Sequence, residues 1–237
     1  MGKSLVSVVI TTLNEENYIS SCLKSIKNQT YENKEIIVVD SESSDRTLEI
    51  AKKYADKIVV EKCIMPKGRN IGAREANGEI LCFLDADVSL SNNWIEKALS
   101  HLYDDKVVAV YGDLFPIEKN LKAKLTYCTQ DFCNFVARKA GIPIFSKLGT
   151  AVAIKRKFFE KVGGYPEDKA SCEDIRLSLN LRKYGKIKFS RELQGFVSMR
   201  RFERTGYLKL SLIWFITGFY TILTGKSFLN QYSRNFP

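Results

Sequence analysis

Along roughly the first 110 residues, short apolar runs alternate with amphipathic stretches. Leu5–Thr11 is apolar and β-branched, which predicts a buried strand. Glu15–Asn28 carries Tyr18, Ile19, Cys22, Leu23 and Ile26 at helical spacing, with Asn14 placed to cap that helix. Glu35–Asp40 predicts a second strand, and Ser43 or Ser44 can cap a helix through Tyr54. Lys57–Glu61 predicts a third strand, Lys67–Ala76 a helix, Glu79–Asp85 a fourth strand, Asn92–Tyr103 a helix and Val107–Tyr111 a strand. Uniformly apolar strands alternating with helices predict an α/β protein. Its sheet is expected to be mostly parallel, twisted and covered by helices on both faces. Residues 116–140 read as a helical excursion, 142–200 as mixed structure and 206–224 as a strongly apolar helix.

Sheets of this kind bind ligands at the carboxyl ends of their strands. Polar residues gather there: Asn14 and Glu15 after the first strand, Asp40 at the end of the second, Asp85 and Asp87 after the fourth. In the run Ile80-Leu81-Cys82-Phe83-Leu84-Asp85-Ala86-Asp87, strand alternation puts both carboxylates on one face. Neighbouring carboxylates repel unless a cation joins them or one protonates. Hard oxygen ligands suit Mg²⁺ or Mn²⁺, which bridge to substrate phosphates. A pair of solvated loop acids is the competing reading of this motif alone.

The net charge of +10 is unevenly placed. From Arg176 onward there are 12 Lys/Arg and 2 Asp/Glu, against 25 of each before it. A basic last quarter points to an anionic partner: a membrane surface, a phosphate substrate or nucleic acid. The six cysteines are scattered and lack zinc spacing. No signal peptide precedes the first apolar run, so reduced thiols in the cytosol are expected. The single histidine, His101, reads as a surface residue, which leaves acid–base chemistry to carboxylates.

These landmarks resemble the family-2 glycosyltransferases, which have the GT-A fold. Val-Val-Ile-Thr-Thr-Leu-Asn-Glu-Glu (8–16) resembles the family's first strand and nucleotide loop, although many members carry Pro where Thr11 stands. Ile36–Thr47 is similar to the second-strand motif, with Glu42 at a position usually small or Gly. Gly68–Ala73 resembles the segment before the metal motif, and Leu84-Asp85-Ala86-Asp87 the metal motif itself. Gly149-Thr150-Ala151 with Val162-Gly163-Gly164-Tyr165 resembles the acceptor-side block. Cys172-Glu173-Asp174 stands where the family has its Glu-Asp pair.

The resemblance implies transfer of a sugar from a nucleotide-diphosphate donor with inversion at the anomeric carbon. A divalent ion, Mg²⁺ or Mn²⁺, would sit at Asp87 and less directly Asp85. Thr11, Asn14, Glu15 and Asp40 would line the nucleotide pocket, Arg69 would reach a phosphate, and Asp174 would be the general base. For Asp40 the competing role is a turn cap, for Glu15 and Asp174 a helix-dipole partner, and for Arg69 a plain surface residue. A lipid-phosphate acceptor, already ionised, would need no base at Asp174. The apolar residues Ile175, Leu177, Leu179 and Leu181 step by two, which periodicity assigns to a strand. The resemblance instead places a helix over Glu173–Tyr184.

The implied organisation is a GT-A domain over 1–205, followed by a membrane-associating helix and tail over 206–237. Within the domain, 1–113 form a nucleotide-sugar half and 114–205 an acceptor half. Arg200 or Arg201 could bind the donor diphosphate or an acceptor phosphate, and Arg201 is taken as the donor contact. Leu210–Gly225 has no charge, and as a helix it spans about 24 Å. That is short of the ~30 Å hydrocarbon core. It fits a helix lying in a membrane surface, with a buried or dimer-forming helix and a short span as alternatives. The expected partners are a nucleotide-sugar and a lipid-linked or glycan acceptor at the inner face of the cell membrane, without nucleic acid. A nucleotidyltransferase would share the acidic site but needs a Gly-rich basic loop where Thr-Thr-Leu-Asn-Glu-Glu stands. An anionic-polymer binder would leave the acidic residues unexplained.

Overall fold

The computed structural model describes residues 4–141, 151–169 and 171–227. β1 (Val6–Thr12) lies between β2 (Lys34–Asp40) and β4 (Ile80–Asp85), and β2 is followed by β3 (Lys57–Val60), all parallel. β7 (Ala151–Lys155) runs antiparallel between β4 and β6 (Val107–Pro116). β8 (Lys186–Val197) is parallel to β6, and the short β5 (Val88–Leu90) closes that edge antiparallel to β8. The order is β3-β2-β1-β4-β7-β6-β8-β5. Two successive reversals leave β4 and β6 pointing the same way, so their carboxyl ends belong to one rim.

Strand alternation supplies two cores. Val8 and Ile10 face α1 (Ile19–Lys27), α2 (Thr47–Ala51) and α4 (Trp94–Leu102), whose Leu23, Ala51 and Trp94 are buried with them. Val9 and Phe83 face α3 (Met65–Glu75), α6 (Arg156–Lys161) and α7 (Glu173–Leu181) through Ile71, Phe159 and Leu177. A Cβ at Gly72 would come within 2.2 Å of Val9 Cγ1, so this glycine lets α3 lie directly on β1. α5 (Leu121–Lys139), α8 (Arg200–Thr205) and α9 (Tyr207–Thr224) share a small third cluster of Ala123, Met199, Phe202 and Leu210.

Several expectations change. Asn14 does not cap α1, which begins five residues later at Ile19; Asn14 is left-handed (φ 55°) and its Oδ1 accepts from the Ser44 amide. Neither Ser43 nor Ser44 caps α2, and that helix stops at Ala51; the Thr47 amide donates to Asp45 Oδ1 at 2.9 Å. Glu42 takes the left-handed φ of 58° that a glycine adopts without strain, so the turn survives the substitution. His101 is partly covered and faces Glu192 on β8 at 3.7 Å. α7 is a helix buried on two sides. Leu177 and Leu181 join the sheet core while Ile175 touches α9 at Gly218, which explains the misleading two-residue step. Gly149 and Thr150 lie outside the described residues. The six cysteines are free.

Candidate active site

Parallel register brings the carboxyl rim together. Thr12 stands beside Asp40 and Thr11 beside Asp85, so Asp40 and Asp85 end the strands on either side of β1. Two loops close over this rim and are stitched by side chains. The amides of Asn14, Glu15 and Glu16 donate to Ser43 Oγ, Thr47 Oγ1 and Asp45 Oδ2 at 2.8, 2.7 and 3.1 Å. Those amides are therefore spent on the β2–α2 loop, which is why α1 starts late. Asp40 is buried, and its carboxylate accepts from Thr12 Oγ1, the Ser43 amide and Ser43 Oγ at 2.8, 2.8 and 2.6 Å. These bonds make Asp40 a turn-holding residue in this structure. Thr11 Oγ1 is buried without a hydrogen-bond partner.

Regular alternation stops at Asp85, and Ala86-Asp87 form a turn. Each acid then finds its own cation. Asp85 Oδ1 accepts from Arg69 Nη2 at 2.8 Å. Arg69 is only 2% exposed, and its Nη1 donates to Glu173 Oε1 at 2.9 Å, while its plane lies 5.0 Å over Tyr165. Burial alone would lower the Arg69 pKa, yet Asp85, Tyr165 and Glu173 more than offset this and hold it charged. Arg69 ties the end of β4 to the start of α7. Asp87 Oδ2 pairs with Arg200 Nη2 at 3.1 Å, and the same nitrogen pairs with Glu15 Oε1 at 2.5 Å. Burial raises the pKa of both Glu15 and Asp87, against the lowering pull of Arg200 on each.

Asp174 opens the first turn of α7 beside Glu173. Burial, and next the Glu173 charge, push its pKa up to about 7. A carboxyl group tuned there can both take and release a proton near neutrality. Arg201 is solvent-exposed on α8, next to Arg200, and its charge acts on Asp87 and Glu15. The rim thus gathers Thr11, Glu15, Asp40, Asp85 and Asp87, with Arg200 reaching in from α8. The bridging role of Arg200 was not separable from that of Arg201 in the sequence, because both precede the apolar helix and only the helical start at Arg200 decides which turns inward.

A cation fits this donor set. Glu15 Oε2 is buried without a hydrogen-bond partner, beside the carboxylate of Asp87. Among the described residues no three His, Cys, Asp or Glu side chains converge as a ready cage. That is the expected condition for Mg²⁺-type ions, which take one or two carboxylates and complete their shell with substrate phosphates and water.

The fold and rim define a GT-A-type protein with its site at the carboxyl edge of a mixed α/β sheet. The Glycosyl transferase family 2 profile matches residues 7–163, and the chain belongs to that family. It is 33% identical over 204 residues to the probable glycosyltransferase YdaM of Bacillus subtilis, a match covering 76% of this chain and 47% of that protein. It is 28% identical over 212 residues to glycosyltransferase AglE of Haloferax volcanii, covering 83% and 68% respectively. The chain also spans only 48% of an uncharacterized glycosyltransferase of Haemophilus influenzae and 62% of one of Rickettsia prowazekii, so it covers about half to two thirds of the curated relatives it matches. Among solved structures, the mannosyltransferase PcManGT from Pyrobaculum calidifontis, in complex with GDP-Man and Mn²⁺, aligns with a TM-score of 0.75 at 22% identity, over 95% of this chain and 66% of that one. S. aureus TarS 1-349 in complex with UDP-GlcNAc aligns with a TM-score of 0.63 at 18% identity, over 83% and 59%. These likenesses establish the fold.

Proposed function

We propose that this chain is an inverting glycosyltransferase that moves a sugar from a nucleotide-diphosphate donor to an acceptor. The observation that carries the reading is the joining of two acidic positions by one buried guanidinium: Arg69 holds Asp85 of the donor rim and Glu173, the immediate neighbour of Asp174. Donor-side and acceptor-side chemistry are thereby fixed in one frame, as displacement at a single carbon requires.

The roles follow from position. Thr11, with a free buried hydroxyl, and the stitched loops of Asn14 and Asp40 shape the nucleoside end. Asp87 and Glu15 would hold Mg²⁺ or Mn²⁺. A divalent ion bound there supplies Lewis-acid stabilisation of the leaving diphosphate. Asp174 takes the proton of the attacking acceptor hydroxyl. The cation of the PcManGT complex and the GDP-Man and UDP-GlcNAc of the two neighbours support a nucleotide-sugar donor.

Thermal-shift screening tests the donor side. One nucleotide-sugar with Mn²⁺ is expected to raise Tm by several degrees, in line with the ~3 kcal/mol that ligand at a hundred times its Kd provides. The shift is expected to require the ion and to vanish in Asp87→Ala. No stabilisation by any nucleotide diphosphate with any divalent ion would refute the reading.

The acceptor reading rests on α9. It is the one described helix long and apolar enough to cross a membrane, and 22% of it is buried. Its small residues Thr217, Gly218 and Thr221 face inward, while Leu208, Leu212, Phe215, Ile216, Phe219 and Leu223 are exposed. Small residues inside and large apolar residues outside, flanked by Lys209 and Lys226, suit a helix lying in an anionic lipid surface. We place the protein at the cytoplasmic membrane face, acting on a lipid-linked acceptor. Anionic vesicles are expected to sediment the wild-type chain and to leave Leu212→Lys/Phe219→Lys in the supernatant. Equal sedimentation of both proteins would remove the membrane from this account.

A further inference from the structure

Arg200 bridges the two carboxylates assigned above to the divalent ion. Its Nη2 touches Glu15 Oε1 at 2.5 Å and Asp87 Oδ2 at 3.1 Å, and its Nε is 3.3 Å from the same Asp87 oxygen. Its guanidinium lies 4.5 Å over the Tyr18 ring. Two carboxylates held on one guanidinium, one of them buried, stay ionised together only with a positive partner. A divalent ion on Asp87 and Glu15 would meet the guanidinium at the same oxygens, and like charges in one partly dry site repel.

The backbone that carries Arg200 is held at both ends. Glu118 accepts from Ser198 Oγ at 2.9 Å and from the Met199 amide at 2.8 Å, which pins the start of α8. Six residues after Met199 the short helix ends, and Gly206, with φ 93°, donates its amide to the Phe202 carbonyl at 2.8 Å while the Phe202 ring stacks on Tyr207 of α9. The long Arg200 side chain can thus leave the carboxylates while its backbone stays in place.

We propose that Arg200 is a resident counter-cation that yields Asp87 and Glu15 to the incoming divalent ion and transfers its guanidinium to the donor diphosphate. The inference rests on the metal-and-donor reading above. The net charge is the same in both states: two carboxylates and one guanidinium before loading, and afterwards the same groups with a divalent ion whose two charges offset those of the donor diphosphate. Arg200 is a positioning residue in this scheme, and it predicts effects of opposite sign. With Arg200 gone, the bare carboxylates bind an ion more tightly, while the diphosphate loses a bidentate partner.

Calorimetric titration tests this with Mn²⁺ alone and then with Mn²⁺ and inorganic pyrophosphate. Arg200→Gln is expected to bind Mn²⁺ about tenfold more tightly than wild type and pyrophosphate, at saturating Mn²⁺, about tenfold more weakly, each the size of one charge-assisted contact. Arg200→Lys keeps the charge but lacks the planar fork and the reach of the guanidinium, so about threefold changes with the same two signs are expected; it carries the test if the glutamine variant fails to fold. Weakening of both ligands, or change in neither, overturns the proposal and leaves the metal reading standing. Failure of Mn²⁺ to bind any of the proteins, with or without pyrophosphate, overturns both.

Discussion

Asp174→Asn is expected to lower kcat by about 10³-fold while making the protein more stable at pH 8. The two effects have one cause. The Asp174 carboxyl is pushed up to about 7, first by burial and then by Glu173. A carboxylate with so raised a pKa costs folding free energy when ionised. The sign is fixed by linkage. In the unfolded chain Asp174 ionises near pH 4, and in the folded protein near 7. Stability therefore falls as pH rises through that window, and above it the penalty is complete. Asparagine removes the penalty, with an upper figure of about 4 kcal/mol. Turnover follows the opposite course: kcat/KM of the wild type is expected to rise with pH through about 7 as the base deprotonates. Melting curves and pH–rate profiles of both proteins check this. A variant that loses activity and also melts lower at pH 8 would show that Asp174 supports the fold and does not serve as base.

Arg69→Ala is expected to cost about 3–5 kcal/mol, because it leaves two carboxylates without their buried cation. For a chain of this size that is a Tm loss on the order of 10 °C. Removing the charges as well should restore much of it: Arg69→Met with Asp85→Asn and Glu173→Gln is expected to melt within a few degrees of wild type, since apolar or neutral groups of similar volume tolerate burial. The triple variant is nonetheless expected to be inactive, because its donor rim and α7 are no longer held in register by ions. Denaturant midpoints measured on single and triple variants separate the two outcomes. If Arg69→Ala melts like wild type, the bridge holds nothing together.

The parallel half of the sheet was legible in the sequence because its strands are continuous apolar runs ending in acids. β1, β2 and β4 depart from expectation by a residue or so. The antiparallel half was legible only at β6, whose first five residues read as a strand. β8 is exposed along much of its length, so its residues carry no clear apolar signal, and β5 has only three residues. Helix starts were misjudged for a physical reason. Asn14 and Ser43, good capping residues, bond across two loops and so are not available to α1 and α2. Candidate site residues were visible by type and position, but their partners were not. That Asp85 binds Arg69 while Asp87 binds Arg200 depends on contacts 16 and 113 positions apart. No local pattern encodes such distances.

The layer between α9 and α7 is thin. Gly218 meets Ile175 directly, in the same helical turn as Asp174, and helices in such contact have axes about 8–10 Å apart. For a protein resting on lipid through the outer face of α9, this spacing acts as a ruler. On the membrane reading proposed above, it would set the height above the bilayer at which an acceptor's reactive oxygen must stand. Carriers with a compact head would present that oxygen at the right level, while a chain already grown by several sugars would overshoot it. Thickness of one packed helix, more than the shape of any pocket, would then decide how long a product this scaffold can extend.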